Sequence, residues 1–206
     1  DAAAEPRQSL PAVAPFAVFG LRACDLAAIA YQDAFFARDP WYGGRRAAAL
    51  LVGLDCVTGC DGGFCVEVDA GPFARAPFDL DLTPLPDGRV VVAWGSENGK
   101  AVLDAAGLVA APVDDPIAFT LAEVAASAAV SFPTRPFVAR GLARMNAKPA
   151  AAMIADDEWQ ALGPSCLACT GCTSLCPTCS CFTVVDEVDP AGGARVRLWD
   201  SCLLEG

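Results

Sequence analysis

Six cysteines occupy the sixteen positions 166–181 of this 206-residue chain. A stretch so rich in thiols holds little apolar material, so cross-links have to replace a hydrophobic core there. Five more lie at Cys24, Cys56, Cys60, Cys65 and Cys202, making eleven. An odd count cannot pair completely within one molecule. Disulfide frameworks also belong to small secreted chains that cannot bury a core, and this chain, 54 % apolar, can. It shows no secretory signal, and no run reaches the ~18–20 apolar residues of a membrane span. The expected setting is a reducing, anoxic cytoplasm in which clustered thiols bind metal.

Fourteen Lys and Arg against 25 Asp and Glu leave a net charge of −11. That argues against nucleic acid, which needs a basic face to neutralise phosphates, and against docking on an anionic membrane. Histidine is absent, which excludes Cys₂His₂ zinc sites, Ser-His-Asp triads and Cys-His nucleophile pairs. The sequence opens at Asp1 without Met and stops at Gly206, four residues past Cys202, as expected of a piece of a longer protein.

The strongest signal is Cys166-Leu-Ala-Cys169-Thr-Gly-Cys172-Thr-Ser-Leu-Cys176-Pro177. This is C-x₂-C-x₂-C-x₃-C-P, the bacterial ferredoxin run. Two-residue spacers let one tight loop present three thiolates to three corners of a 4Fe-4S cubane, and Pro177 then turns the chain away. The competing reading is a zinc knuckle, but zinc needs only four ligands in two pairs and this segment oversupplies them. In two-cluster ferredoxins the fourth cysteine serves the other cluster. Either Cys176 closes the local cluster or a second run lies beyond Gly206. Cys179 and Cys181 are spare ligands just past it. The spacing Cys172-x₃-Cys176-x₂-Cys179 also matches radical enzymes that cleave S-adenosylmethionine. Only 27 residues follow Cys179, too few for the barrel such enzymes need.

The rest of the chain reads as alternating strands and helices. Phe16 to Phe19 is a short buried strand, followed by a turn at Cys24 and a helix capped by Asp25. Ala47 to Leu54 is a second strand running into Cys56. Strands Leu80 to Leu85 and Arg89 to Trp94 join at Pro86-Asp87-Gly88. Helices are expected over Lys100 to Ala106, Ile117 to Val130 and Pro136 to Met145, the last continuing towards Ala155. Residues 182–188 and 194–200 form a β-hairpin around Asp189 to Gly193, with Cys181 opposite Cys202 at its base. Cys202 is then either a ligand or a free thiol, and both remain open. The fold class is an α/β or α+β domain over 1–161 and a small ferredoxin-like iron–sulfur segment with a hairpin over 162–206.

Cys24, Cys56, Cys60 and Cys65 supply the four thiolates that a cubane needs. Cys24 and Cys56 each follow a strand, which places both at one rim of a sheet. Gly59, Gly62 and Gly63 let the backbone bend closely around a ligand. A second cluster, a zinc ion and unligated core thiols all remain open for this set. Nucleotide motifs are missing: Gly95-Ser-Glu-Asn-Gly99-Lys100 is one residue short of a phosphate loop, and no G-x-G-x-x-G occurs. Trp94, Trp159 and Trp199 are expected in a core or shielding a cluster.

Gly20-Leu-Arg-Ala-Cys24-Asp25-Leu26, Asp39-Pro-Trp-Tyr42 with Arg45-Arg46, Asp55-Cys56 with Phe64-Cys65, Cys176-Pro-Thr-Cys179-Ser-Cys181-Phe182 and Trp199-Asp200-Ser201-Cys202 follow one another in that order. Together they resemble the 4Fe-4S dicluster iron–sulfur subunits of the cytoplasmic sulfhydrogenase beta and anaerobic sulfite reductase A type. The resemblance covers nearly the whole chain. It implies an electron carrier with no catalysis of its own, relaying between a flavoprotein subunit that uses FAD and NAD(P)H and a catalytic redox subunit. It also implies a second ferredoxin run downstream, before which this sequence ends. The cofactors implied are 4Fe-4S clusters: one on Cys166, Cys169, Cys172 and Cys176, with a second or third on the remaining thiols. Two rivals stand beside this reading: a zinc-stabilised interaction module, and a catalytic subunit whose cluster binds substrate.

Overall fold

The parallel register of three short strands decides where the cysteines of the first half end up. The structure is a computed structural model that describes residues 10 and 12–200, apart from 76, 111, 113, 134, 148, 150–156, 190 and 191. It divides into two units, Asp1–Thr134 and Arg135–Gly206.

In the first unit β1 (Phe16–Leu21) is followed by α1 (Ala23–Phe35), α2 (Pro40–Ala48) and β2 (Ala49–Leu54). After a loop of Gly and Cys come β3 (Leu80–Pro84), β4 (Val90–Trp94), α3 (Glu97–Ala105) and α4 (Asp115–Ser131). The sheet order is β1-β2-β3-β4. β1 runs parallel to β2 and β2 parallel to β3, while β4 returns antiparallel. Ala49–Leu54 is apolar throughout because a central parallel strand is covered on both faces, and Leu51 and Val52 are buried.

The helices start where their capping residues stand. Asp39 accepts the Tyr42 N–H at 2.9 Å, with Pro40 in the first helical position of α2. Tyr42 and Arg46 of α2 then both donate to Asp33 of α1. Ser96 and Asp114 cap α3 and α4 in the same way. Along α4, Val124 and Ala128, with Phe132 just beyond, repeat at four-residue spacing and are all buried. Asp25 does not cap α1. It stands at the third position, where its carboxylate accepts the N–H of the capping residue Arg22, so Cys24 belongs to the first helical turn. α2 also occupies residues read above as the start of a strand.

The second unit holds α5 (Pro136–Asn146), a short helix Asp157–Leu162, a 3₁₀ turn Gly163–Ser165, a helical turn Gly171–Ser174 and the hairpin of β5 (Phe182–Asp189) and β6 (Gly192–Trp199). α5 ends at Asn146, and of the expected continuation towards Ala155 only Ala147 and Pro149 are described, neither of them helical; the rest lies outside the described residues. Hairpin pairs run from Phe182↔Trp199 to Asp189↔Gly192, so the connection is three residues shorter than the turn expected above. Cys181 consequently faces Asp200, whose N–H donates to its carbonyl, and not Cys202. Cys202 lies outside the described residues. The chain is thus mixed α/β with a C-terminal hairpin. Among the described residues no single helix is long and apolar enough to cross a membrane.

Candidate metal centres

Parallel strands end at the same rim of a sheet. Leu21 pairs with Gly53, so the carboxyl ends of β1 and β2 lie side by side. Cys24 follows one and Cys56 the other. They share a cavity of about 470 Å³ with Cys60 and Cys65, walled on one side by Phe132. The sequence reasoning placed Cys24 and Cys56 at one rim, and the structure brings Cys60 and Cys65 to the same cavity.

Two glycines let the loop close. A Cβ at Gly63 would stand 2.6 Å from the Cys60 Sγ, and one at Gly59 would stand 2.6 Å from the Ser131 carbonyl oxygen. Gly59 is tied down from 72 residues away: its N–H donates to the Ser131 hydroxyl at 2.7 Å. Asp55, buried beside Cys56, is already engaged. It accepts from Thr83 Oγ1 at 2.6 Å and from the Ala74 N–H at 2.9 Å.

The electrostatics of the cavity oppose free thiolates. Burial pushes the Cys24, Cys56 and Cys65 thiols up. Mutual repulsion adds to it: Cys65 and Cys56 act on Cys24, Cys60 on Cys56, and Cys56 and Cys60 on Cys65. Three such groups become anionic together only around a cationic centre. The donor set is all sulfur. Among the described residues no group of three metal-ligating side chains is placed to hold a single ion, while the cavity that the four thiols line measures about 470 Å³. These observations fit a multi-iron, thiolate-bound group.

The second cysteine set has a different setting. Cys166 follows the 3₁₀ turn, and Cys172 sits in the helical turn Gly171–Ser174. Ala168 and Thr170, between these cysteines, adopt left-handed φ of 50° and 62°, a conformation costing about 1–2 kcal/mol per non-glycine residue. The Thr170 carbonyl accepts from the Thr173 and Ser174 N–H groups. Cys166, Cys169 and Cys172 are exposed and Cys176, Cys179 and Cys181 half-buried. The Thr178 hydroxyl, 3.1 Å from the Cys176 Sγ, and then its N–H hold the Cys176 thiol below its usual range. Leu167 and Leu175 of the loop are 88 % and 86 % exposed. Every buried apolar residue of the described chain lies between Ala23 and Phe132, so the second unit contributes none.

Sequence reasoning did not single out Arg22, Ser131 or Phe132 as parts of the first site. Arg22, two positions from Cys24, was within reach of a local reading. The α4 residues were not, because nothing local links them to Cys60.

A profile of the 4Fe-4S dicluster domain matches residues 165–206. The chain is also 30 % identical over 195 residues to sulfhydrogenase 2 subunit beta of Pyrococcus furiosus, a match covering 92 % of this chain and 55 % of that protein. No solved structure matches. The cofactors are therefore [4Fe-4S] clusters, carried by a 4Fe-4S dicluster domain at residues 165–206, in a chain similar over most of its own length to a sulfhydrogenase subunit of which it spans about half.

Proposed function

We propose that the chain is an electron-relay subunit of a hydrogenase-type oxidoreductase complex. Cys166, Cys169, Cys172 and Cys176 hold one cluster, Cys24, Cys56, Cys60 and Cys65 hold another, and Cys179, Cys181 and Cys202 are available to a further one. The observation that carries this reading is the ferredoxin-spaced loop in a unit with no buried apolar residue among those described. The likeness to a sulfhydrogenase subunit supports it. A flavoprotein using FAD and NAD(P)H on one side and a catalytic subunit of hydrogenase or sulfite reductase type on the other complete the relay in the cytoplasm.

When bound, such a group supplies reversible one-electron storage. The chain's own residues do the rest. Thiolates fix its position, Phe132 limits water at the first site, and N–H groups of the loops dampen the charge on sulfur. An acidic chain carrying anionic groups calls for a basic face on its partners.

The test is oxygen-free purification of the full chain, with iron, acid-labile sulfide and dithionite-reduced paramagnetic resonance. A brown protein with a signal that weakens in Cys169→Ala is expected. Colourless protein holding stoichiometric zinc would overturn the relay, as would turnover by the isolated chain with an artificial donor.

A further inference from the structure

We infer that Arg22 sets the reduction potential of the group held by Cys24, Cys56, Cys60 and Cys65. The inference rests on the assignment of that cavity to a 4Fe-4S group. Arg22 stands between the two chain segments that bring in the first two cysteines. Its own N–H donates to Asp25 at 2.9 Å, one residue past Cys24. Its guanidinium Nη1 donates to the carbonyls of Leu54 at 3.2 Å and Asp55 at 3.4 Å, the two residues before Cys56. One nitrogen thus serves both carbonyls. The remaining donors of the fork are left for the cavity, which Arg22 lines.

Among the described residues lining the cavity Arg22 is the only cation. The carboxylate in the cavity lining, Asp55, is turned to Thr83 and Ala74. A group that gains one electron becomes one charge more negative. A fixed cation in the wall of the cavity favours that form and raises the potential. Guanidinium stays charged at every working pH, so the effect carries no proton dependence.

The experiment uses the full chain, reconstituted without oxygen, in potentiometric titrations followed by paramagnetic resonance. The signal of this site is the one lost, with its iron, in Cys56→Ser. Arg22→Gln is expected to keep its iron and to lower the midpoint by about 59 mV, the one-electron equivalent of a tenfold drop in the ratio of reduced to oxidised group. Arg22→Lys, which restores charge without the fork, recovers most of that shift. An Arg22→Gln protein with full iron and an unmoved midpoint overturns the inference. If Arg22→Gln loses its iron, Arg22→Lys decides: a midpoint near that of the unaltered chain supports the inference, and a loss of iron or a tenfold shift overturns it. Unchanged iron and signal in Cys56→Ser would instead remove the site assignment, and the inference with it.

Discussion

Removing the metal from the second unit, by chelation of the full chain under argon or by Cys169→Ala, should unfold residues 166–199 and leave the first unit's sheet intact. The magnitude follows from burial. Among the described residues of the first unit ten apolar side chains, from Ala23 to Phe132, are buried. Full burial of a large one is worth about 1.5–3 kcal/mol. The second unit has none among its described residues, and its hairpin is two-stranded. Such a hairpin is at best marginally stable alone, while each ordered residue costs about 1–2 kcal/mol of backbone entropy. Contacts across the hairpin are exposed, among them Arg195 to Asp186 through two hydrogen bonds and Arg197 over the Phe182 ring at 4.9 Å. With the cluster gone, the opening equilibrium of this unit should approach unity, and amide protection should fall to within roughly tenfold of a free peptide. Hydrogen exchange read by mass spectrometry, with and without metal, measures both units in one sample. Native protection of 166–199 after complete loss of iron would refute the reasoning, and so would loss of protection in both units together.

Two further outcomes concern the first unit. Asp81 is buried against Gly53 beside Asp55, and burial followed by the Asp55 charge raises its pKa to about 6. That lies above the unfolded value near ~3.9, so the folded state binds more protons in between. The contribution of Asp81 to stability is fullest below about pH 4 and is lost, by roughly 2–3 kcal/mol, as pH rises through 6. Asp81→Asn should flatten the fall of the urea midpoint between pH 4 and 7, and an unchanged slope would rule the account out. Ser131→Ala removes the hydroxyl that accepts from Gly59 and donates to Ala128. It should cost about 0.5–1.5 kcal/mol and speed alkylation of Cys60 in metal-free protein. Equal urea midpoints and equal rates would show that α4 does not hold the cysteine loop.

The sheet was legible because its strands carry their own signals. Ala49–Leu54 is unbroken apolar sequence, and Pro86-Asp87-Gly88 marks the reversal between β3 and β4. α2 escaped notice despite Asp39-Pro40 at its start, because Gly43 and Gly44 lower its propensity. Its stability comes from Tyr42 and Arg46 reaching back to Asp33, contacts no local window contains. The hairpin was visible, but its register was not. A tighter connection moved every pair by two positions in sum and put Asp200, not Cys202, across from Cys181. The four thiols of the first cavity were each visible, and the parallel register brought two of them together. The tie from Gly59 to Ser131 spans 72 residues and left no trace in spacing.

The two cysteine sets stand on different physical supports. The first cavity is walled by a sheet rim and by Phe132, both joined to the buried apolar residues of the first unit. Its ligands are pre-positioned, and the cost of ordering them is met by folding. The second set lies on a loop that holds Ala168 and Thr170 in left-handed conformations with exposed leucines around it. That backbone is unfavourable alone, so the free energy of binding metal has to supply its order. Pre-organisation therefore favours retention of metal at the first set and ready exchange at the second. On graded chelation of the full chain, iron should leave Cys166, Cys169, Cys172 and Cys176 first. The signal that Cys56→Ser abolishes should be the one that persists, because its departure does not allow the surrounding chain to relax.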